Sequence, residues 1–70
     1  MSWSRSVFSS MVSEIGFDDD TQELIVTWQN GRKSAYAGVS EGLADQLARA
    51  PSVGQMINSD IKGVYSHRYV

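Results

Sequence analysis

Cysteine is absent from this 70-residue chain, and histidine and proline occur once each. Without thiols there is neither a disulfide framework nor a thiolate metal site. A single histidine would leave a four-ligand zinc site dependent almost wholly on carboxylates, an unusual donor set. Basic residues are scarce too: six Lys and Arg face eight Asp and Glu, for a net charge of −2. Domains that grip long polyanions are usually basic, because Lys and Arg displace the counterions. This balance disfavours a general nucleic-acid binder but leaves room for a local basic patch. Nothing reaches the length needed to cross a bilayer, and serines interrupt Trp3, Val7 and Phe8 where a secretory signal would be continuously apolar. The expected setting is cytoplasmic, with no membrane partner. A chain this short makes one domain near the lower limit for burying a core, and such domains often gain stability by self-association.

Residues 1–10 read as an N-terminal arm, with three large apolar side chains that belong on the core or on a neighbouring subunit. Residues 11–70 read as a single domain. In residues 11–17 the alternation puts Ile15 and Phe17 on one strand face and Val12 and Glu14 on the other. Asp18, Asp19 and Asp20 then form a turn-favouring run, without the Gly and closing Glu of a calcium loop. Leu24, Val26 and Trp28 alternate with Ile25 and Thr27 in the clearest strand. Asn30-Gly31 is the strongest hairpin signal. If those two residues are the whole loop, Trp28 faces Lys33, Val26 faces Ala35 and Leu24 faces Ala37. The alanines then leave room for helices, while Ile25, Thr27, Ser34 and Tyr36 share the reverse face. Ser40 is a good N-cap for a helix with Leu43, Ala44, Leu47 and Ala48 inward, stopped by Pro51. Ser52 and Gln55 form a capping-box pattern opening a second helix, with Val53, Met56, Ile57 and Ile61 inward and Gly63 as its stop. Residues 64–70 alternate again, as an edge strand or a segment reaching across a dimer. The predicted fold class is α+β: a three-stranded antiparallel meander with two short C-terminal helices on one face.

These residues resemble the KTSC domain family. The resemblance is carried by Ser9-Ser10, Ile15-Gly16-Phe17-Asp18, Leu24-x-Val26-x-Trp28-x-Asn30-Gly31, Tyr36-x-x-Val39, Gly54 and Asn58-x-x-Ile61-x-x-x-Tyr65, in that order. It spans residues 7–65. Two family features differ: the usual Tyr-x-Tyr is Ser34-Ala35-Tyr36, and the usual Lys-Gly is Val53-Gly54. The family is named for its place at the C-terminus of some lysyl-tRNA synthetases, and it also occurs alone in bacterial and phage proteins. The resemblance implies RNA binding as one function; no synthetase catalytic sequence accompanies it.

No acid, base and nucleophile set assembles from the spacing, so the expectation is a protein that is not an enzyme and needs no cofactor. Candidate ligand-binding residues are Tyr36, as a ring on the reverse sheet face able to stack a base, and Ser9 and Ser10 as hydroxyl donors. A C-terminal group joins them: Asn58 and Lys62 one helical turn apart, followed by Tyr65, His67 and Arg68. Charge, donors and rings together suit a nucleotide-type, phosphate-bearing small molecule, held at a homo-oligomer interface because so small a domain has little internal volume. The function expected is capture, even sequestration, of such a ligand, with RNA binding or protein interaction as the alternatives.

Overall fold

The computed structural model describes residues 2–70; Met1, the first residue of the predicted arm, lies outside them. Among the described residues five antiparallel strands form one sheet in chain order: β1 (Trp3–Ser6), β2 (Val12–Asp18), β3 (Glu23–Trp28), β4 (Lys33–Ala37) and β5 (His67–Tyr69). The sheet is therefore α+β and antiparallel as predicted, with two strands more than the expected three. Those two come from the ends of the chain. Part of the arm pairs with β2, Ser4 opposite Gly16, and the tail pairs with β4, Ala35 opposite Arg68.

The β3–β4 register differs from the expected one by a single residue. Thr27 pairs with Lys33, Ile25 with Ala35 and Leu24 with Tyr36. The loop has three residues, not two: Trp28 N–H donates to the Arg32 carbonyl at 2.8 Å, Gly31 N–H donates to the Trp28 carbonyl at 3.0 Å, and Gly31 takes a φ of +88°. That is a turn followed by a left-handed residue, the usual three-residue hairpin, which Asn-Gly serves as well as the two-residue one. Because strand side chains alternate, a slip of one residue exchanges the two faces of β4. Ser34 and Tyr36 turn inward, and Ala35 and Ala37 take the reverse face.

A second irregularity acts on β2. Its pairing with β3 shifts between Val12 and Glu14, leaving Ser13 as an extra residue. The bulge breaks the alternation, so Val12 is fully buried with Ile15 and Phe17 instead of lying on the opposite face.

Both helical segments cover the inward face. Helix α1 (Glu41–Arg49) starts at Ser40, whose hydroxyl accepts from Leu43 N–H at 3.2 Å, and buries Ala44 and Leu47. Helix α2 (Val53–Met56) runs directly into a π-helical turn, Ile57–Ile61, and the predicted Ser52 side-chain cap is not formed. Gly63 ends the segment at a φ of +78°. Val53, Ile57 and Ile61 complete a core with Leu24, Val26, Tyr36 and Val39. Strand β1 is tied down from outside: Trp3 Nε1 donates to Glu41 at 3.1 Å, and Arg5 pairs with Asp45 at 3.5 Å.

Candidate ligand groove

The inward-facing residues at the open end of β4 and β5 do not all reach helix. Ser34 lies opposite Tyr69 and Tyr36 opposite His67, so alternate residues of both strands line one strip. The π-helical turn ends at Ile61, and Lys62 leaves it with extended geometry (ψ 129°) beside the same strip. The result is a groove of about 450 Å³, lined by Met11, Trp28, Asn30, Arg32, Ser34, Tyr36, Lys62, Gly63, His67 and Tyr69. Its volume falls in the range typical of ligand clefts, ~300–1,000 Å³.

Rings make up one wall. The His67 ring lies 5.0 Å from Tyr36 and 4.7 Å, edge-on, from Tyr69. The Arg32 guanidinium sits 5.8 Å from the Tyr69 ring centre. Trp28 Nε1 donates to the Ser34 hydroxyl at 2.8 Å, which fixes the indole at the floor. Burial, and then the nearby Tyr69, raise the Tyr36 phenol above its ordinary range. The cations Arg32 and Lys62 are exposed, and among the described residues no carboxylate lines the groove. In a chain with more acids than bases, that segregation gives the groove a locally positive rim.

The predicted site residues are only partly brought together. Tyr36, Lys62 and His67 line the groove, but Tyr36 does so as a buried residue, 2% exposed, and not as a free platform on the reverse face. Its ring supports His67; Tyr69, 65% exposed, is the ring open to a ligand. Asn58 and Lys62 do not point the same way. The π-helical turn rotates successive side chains by less than an α-helix, and Lys62 is already outside it, so Asn58 lines a different hollow with Ser9, Ser10 and Gly54. Ser9 is engaged within its own loop, its hydroxyl accepting from Met11 and Val12 N–H at 3.2 and 3.3 Å. Tyr65 is half-buried against the core.

Arg68 is removed from the candidate site altogether. It crosses the reverse face over Ala35 and makes a two-point contact with Glu23, Nε to Oε2 at 3.1 Å and Nη2 to Oε1 at 3.0 Å. The alanines thus make room for an arginine, not for helices. That pair holds Glu23 below the ordinary carboxylate range, chiefly through the Arg68 hydrogen bond and then through one from Thr21; in return it raises Arg68. The reverse face does carry a shallow hollow over Gly16, of about 500 Å³, but it sets Glu14 and Asp18 against Lys33 and contains none of the predicted residues. Trp28, Asn30 and Arg32, like Met11, Ser34, Gly63 and Tyr69, are groove residues that sequence reasoning did not assign. The hairpin loop was the signal for the first three: reading it as three residues places them at the groove's end.

The KTSC domain pattern matches residues 8–65, most of the chain. The chain belongs to the KTSC domain family. A crystal structure of a KTSC domain protein from Yersinia pestis is similar to it at a TM-score of 0.89 and 27% sequence identity, covering 100% of this chain and 99% of that one. No curated protein matches the chain. In this KTSC domain the position of the missing first tyrosine of Tyr-x-Tyr is Ser34, which is buried and bonded to Trp28. The departure from the family pattern therefore falls inside the groove, next to Tyr69. None of the described residues belongs to a helix long and apolar enough to cross a membrane.

Proposed function

We propose that this KTSC domain is a non-enzymatic module that captures a nucleotide-type, phosphate-bearing small molecule in the groove between β4–β5 and the end of the π-helical turn. The observation that carries the reading is the groove's composition: Arg32 and Lys62 at its rim, His67 and Tyr69 as rings on its wall, and no acid among its lining residues. The cations suit a phosphate, and the exposed Tyr69 ring suits a base, since stacking needs only a π-face. Among the described residues no carboxylate is hydrogen-bonded to His67, which leaves it without the orienting partner a general base requires. A single chain already offers a hollow of ligand size.

Isothermal titration with a panel of linear and cyclic nucleotides tests this. The expected result is saturable heat for at least one of them, weakened by Tyr69→Ala; flat heats across the panel would sink it. RNA binding, the reading the family resemblance implies, predicts a gel shift with single-stranded RNA whose affinity falls steeply with salt.

A further inference from the structure

Phe8 is 104% exposed, the most exposed large apolar residue described. It is not on a loose tail. Val7 on one side is half-buried against the core, and its N–H donates to the Ser13 carbonyl at 3.1 Å. On the other side Ser9 accepts two backbone N–H groups through its hydroxyl, and Gln29 Nε2 donates to its carbonyl at 3.1 Å. The ring is therefore held out into solvent by anchored chain on both flanks, the arrangement of a preformed anchor.

Beside it lie two adjoining hollows. Phe8 rims the first, with Gly54 and Asn58; Ala50, Pro51 and Met56 line the second, of about 520 Å³. Ten residues line the first and six the second, with Pro51, Ser52 and Gln55 common to both, and not one of them is charged. Charged residues make up 20% of the chain, so a charge-free area of this extent shares with interface centres their depletion of charge, while its serines keep it polar. A knob and a hole that lie side by side on one face meet the condition for isologous pairing, in which two copies exchange the same contact across a twofold axis. A partner carrying the same uncharged face also meets it without like-charge repulsion.

We propose that two copies of this chain associate through this face, the Phe8 ring of each entering the hollow formed by Ala50, Pro51 and Met56 of the other. The axis then passes near the shared residues Pro51, Ser52 and Gln55. A stable interface needs roughly 600 Å² or more from each copy, about a seventh of the chain's 4257 Å². The inference stands apart from the ligand groove, which this face touches only at Met11.

Sedimentation velocity between ~10 µM and ~1 mM tests it. The expected mass is twice the 7.7 kDa of the chain at the upper end, and Phe8→Ser returns the single-chain mass. That variant should keep the wild-type circular dichroism and urea midpoint, because Phe8 is fully exposed in the single chain. Gln55→Glu or Gln55→Lys alone should also weaken association, by placing like charges at the axis, and mixing the two variants should restore it. Single-chain mass for the wild type across the range, or a dimer that survives Phe8→Ser, overturns the proposal. Nucleotide titration of Phe8→Ser separates this outcome from the fate of the groove.

Discussion

Truncating Tyr36 to alanine separates the two possible registers of the hairpin. With a two-residue loop the ring would stand on the reverse sheet face, and its removal would change stability by no more than ~0.5 kcal/mol, as for most surface positions. In the observed register Tyr36 is 2% exposed and packs in the core with Leu24, Val26 and Ile61. Removing a buried aromatic ring costs about 3–5 kcal/mol, part lost transfer energy and part the cavity left behind. A domain of 70 residues has in total only about 3.5–10 kcal/mol at the usual stability per residue. Tyr36→Ala should therefore remove about 30% of the stability at the least, and in the lower range leave the chain unfolded in water. With a urea slope near ~1 kcal/mol per molar for so small a protein, the midpoint falls by about 3 M or more. Tyr36→Phe keeps the ring and serves as the control, with a loss of ~1 kcal/mol or less. Urea titration followed by circular dichroism reads both. An alanine variant within ~0.5 M of the wild-type midpoint would refute the buried placement, and with it the three-residue loop.

Glu23→Gln should lower the urea midpoint at pH 7, since the carboxylate that Arg68 holds in two-point contact is lost. The folded-state pKa of Glu23 lies below its ordinary 4.5, so its contribution is present above that value and fades as the pH falls through the lower folded value. The gap between wild type and variant should therefore close on acidification, and a widening gap would contradict the pairing. Gly31→Ala should cost about 1–2 kcal/mol because the φ of +88° is a left-handed conformation, and Gly31→Asn should cost less; equal midpoints for all three would exclude the left-handed turn. Ser34→Ala removes the acceptor of the Trp28 indole and should cost about 1 kcal/mol, read from the same titration. Arg32→Ala and Lys62→Ala, both at exposed positions, should each weaken capture of a phosphate-bearing ligand roughly tenfold or more, as loss of a charge-assisted contact does. Their urea midpoints should stay near wild type, and unchanged affinity in the double variant would remove the groove as the phosphate site.

Much of this KTSC domain is readable from local sequence. Alternation marks β2 and β3, Ser40 caps α1 as its hydroxyl suggests, Pro51 separates the helices, Gly63 ends the second, and the alternating tail becomes β5. Each of these signals acts within a few residues, where steric and hydrogen-bonding preferences are already decisive. The candidate site was less legible. Its residue types were visible in Tyr36, Lys62 and His67, but their arrangement depends on three choices that local preference leaves open. Asn30-Gly31 suits a two- or a three-residue loop, and burying the Tyr36 ring selects the second. An extra residue at Ser13 carries Val12 into the core, where only packing against β3 and the helices rewards it. A π-helical turn at Ile57–Ile61 separates Asn58 from Lys62, although nothing in INSDI distinguishes it from an α-helical turn.

Sequence by itself determined β2 to β4, the two helices, their order and the inventory of groups available for binding, but not β1 or the π-helical turn. Tertiary structure alone decided which face each group occupies. The physical reason is the period of two along a strand: a single-residue slip or bulge costs the backbone little, yet it moves every following side chain from one side of the sheet to the other. Only the free energy of filling the core distinguishes the alternatives. It placed Tyr36 beneath the groove, sent Arg68 across the reverse face to Glu23, and left His67 and Tyr69 to form the wall.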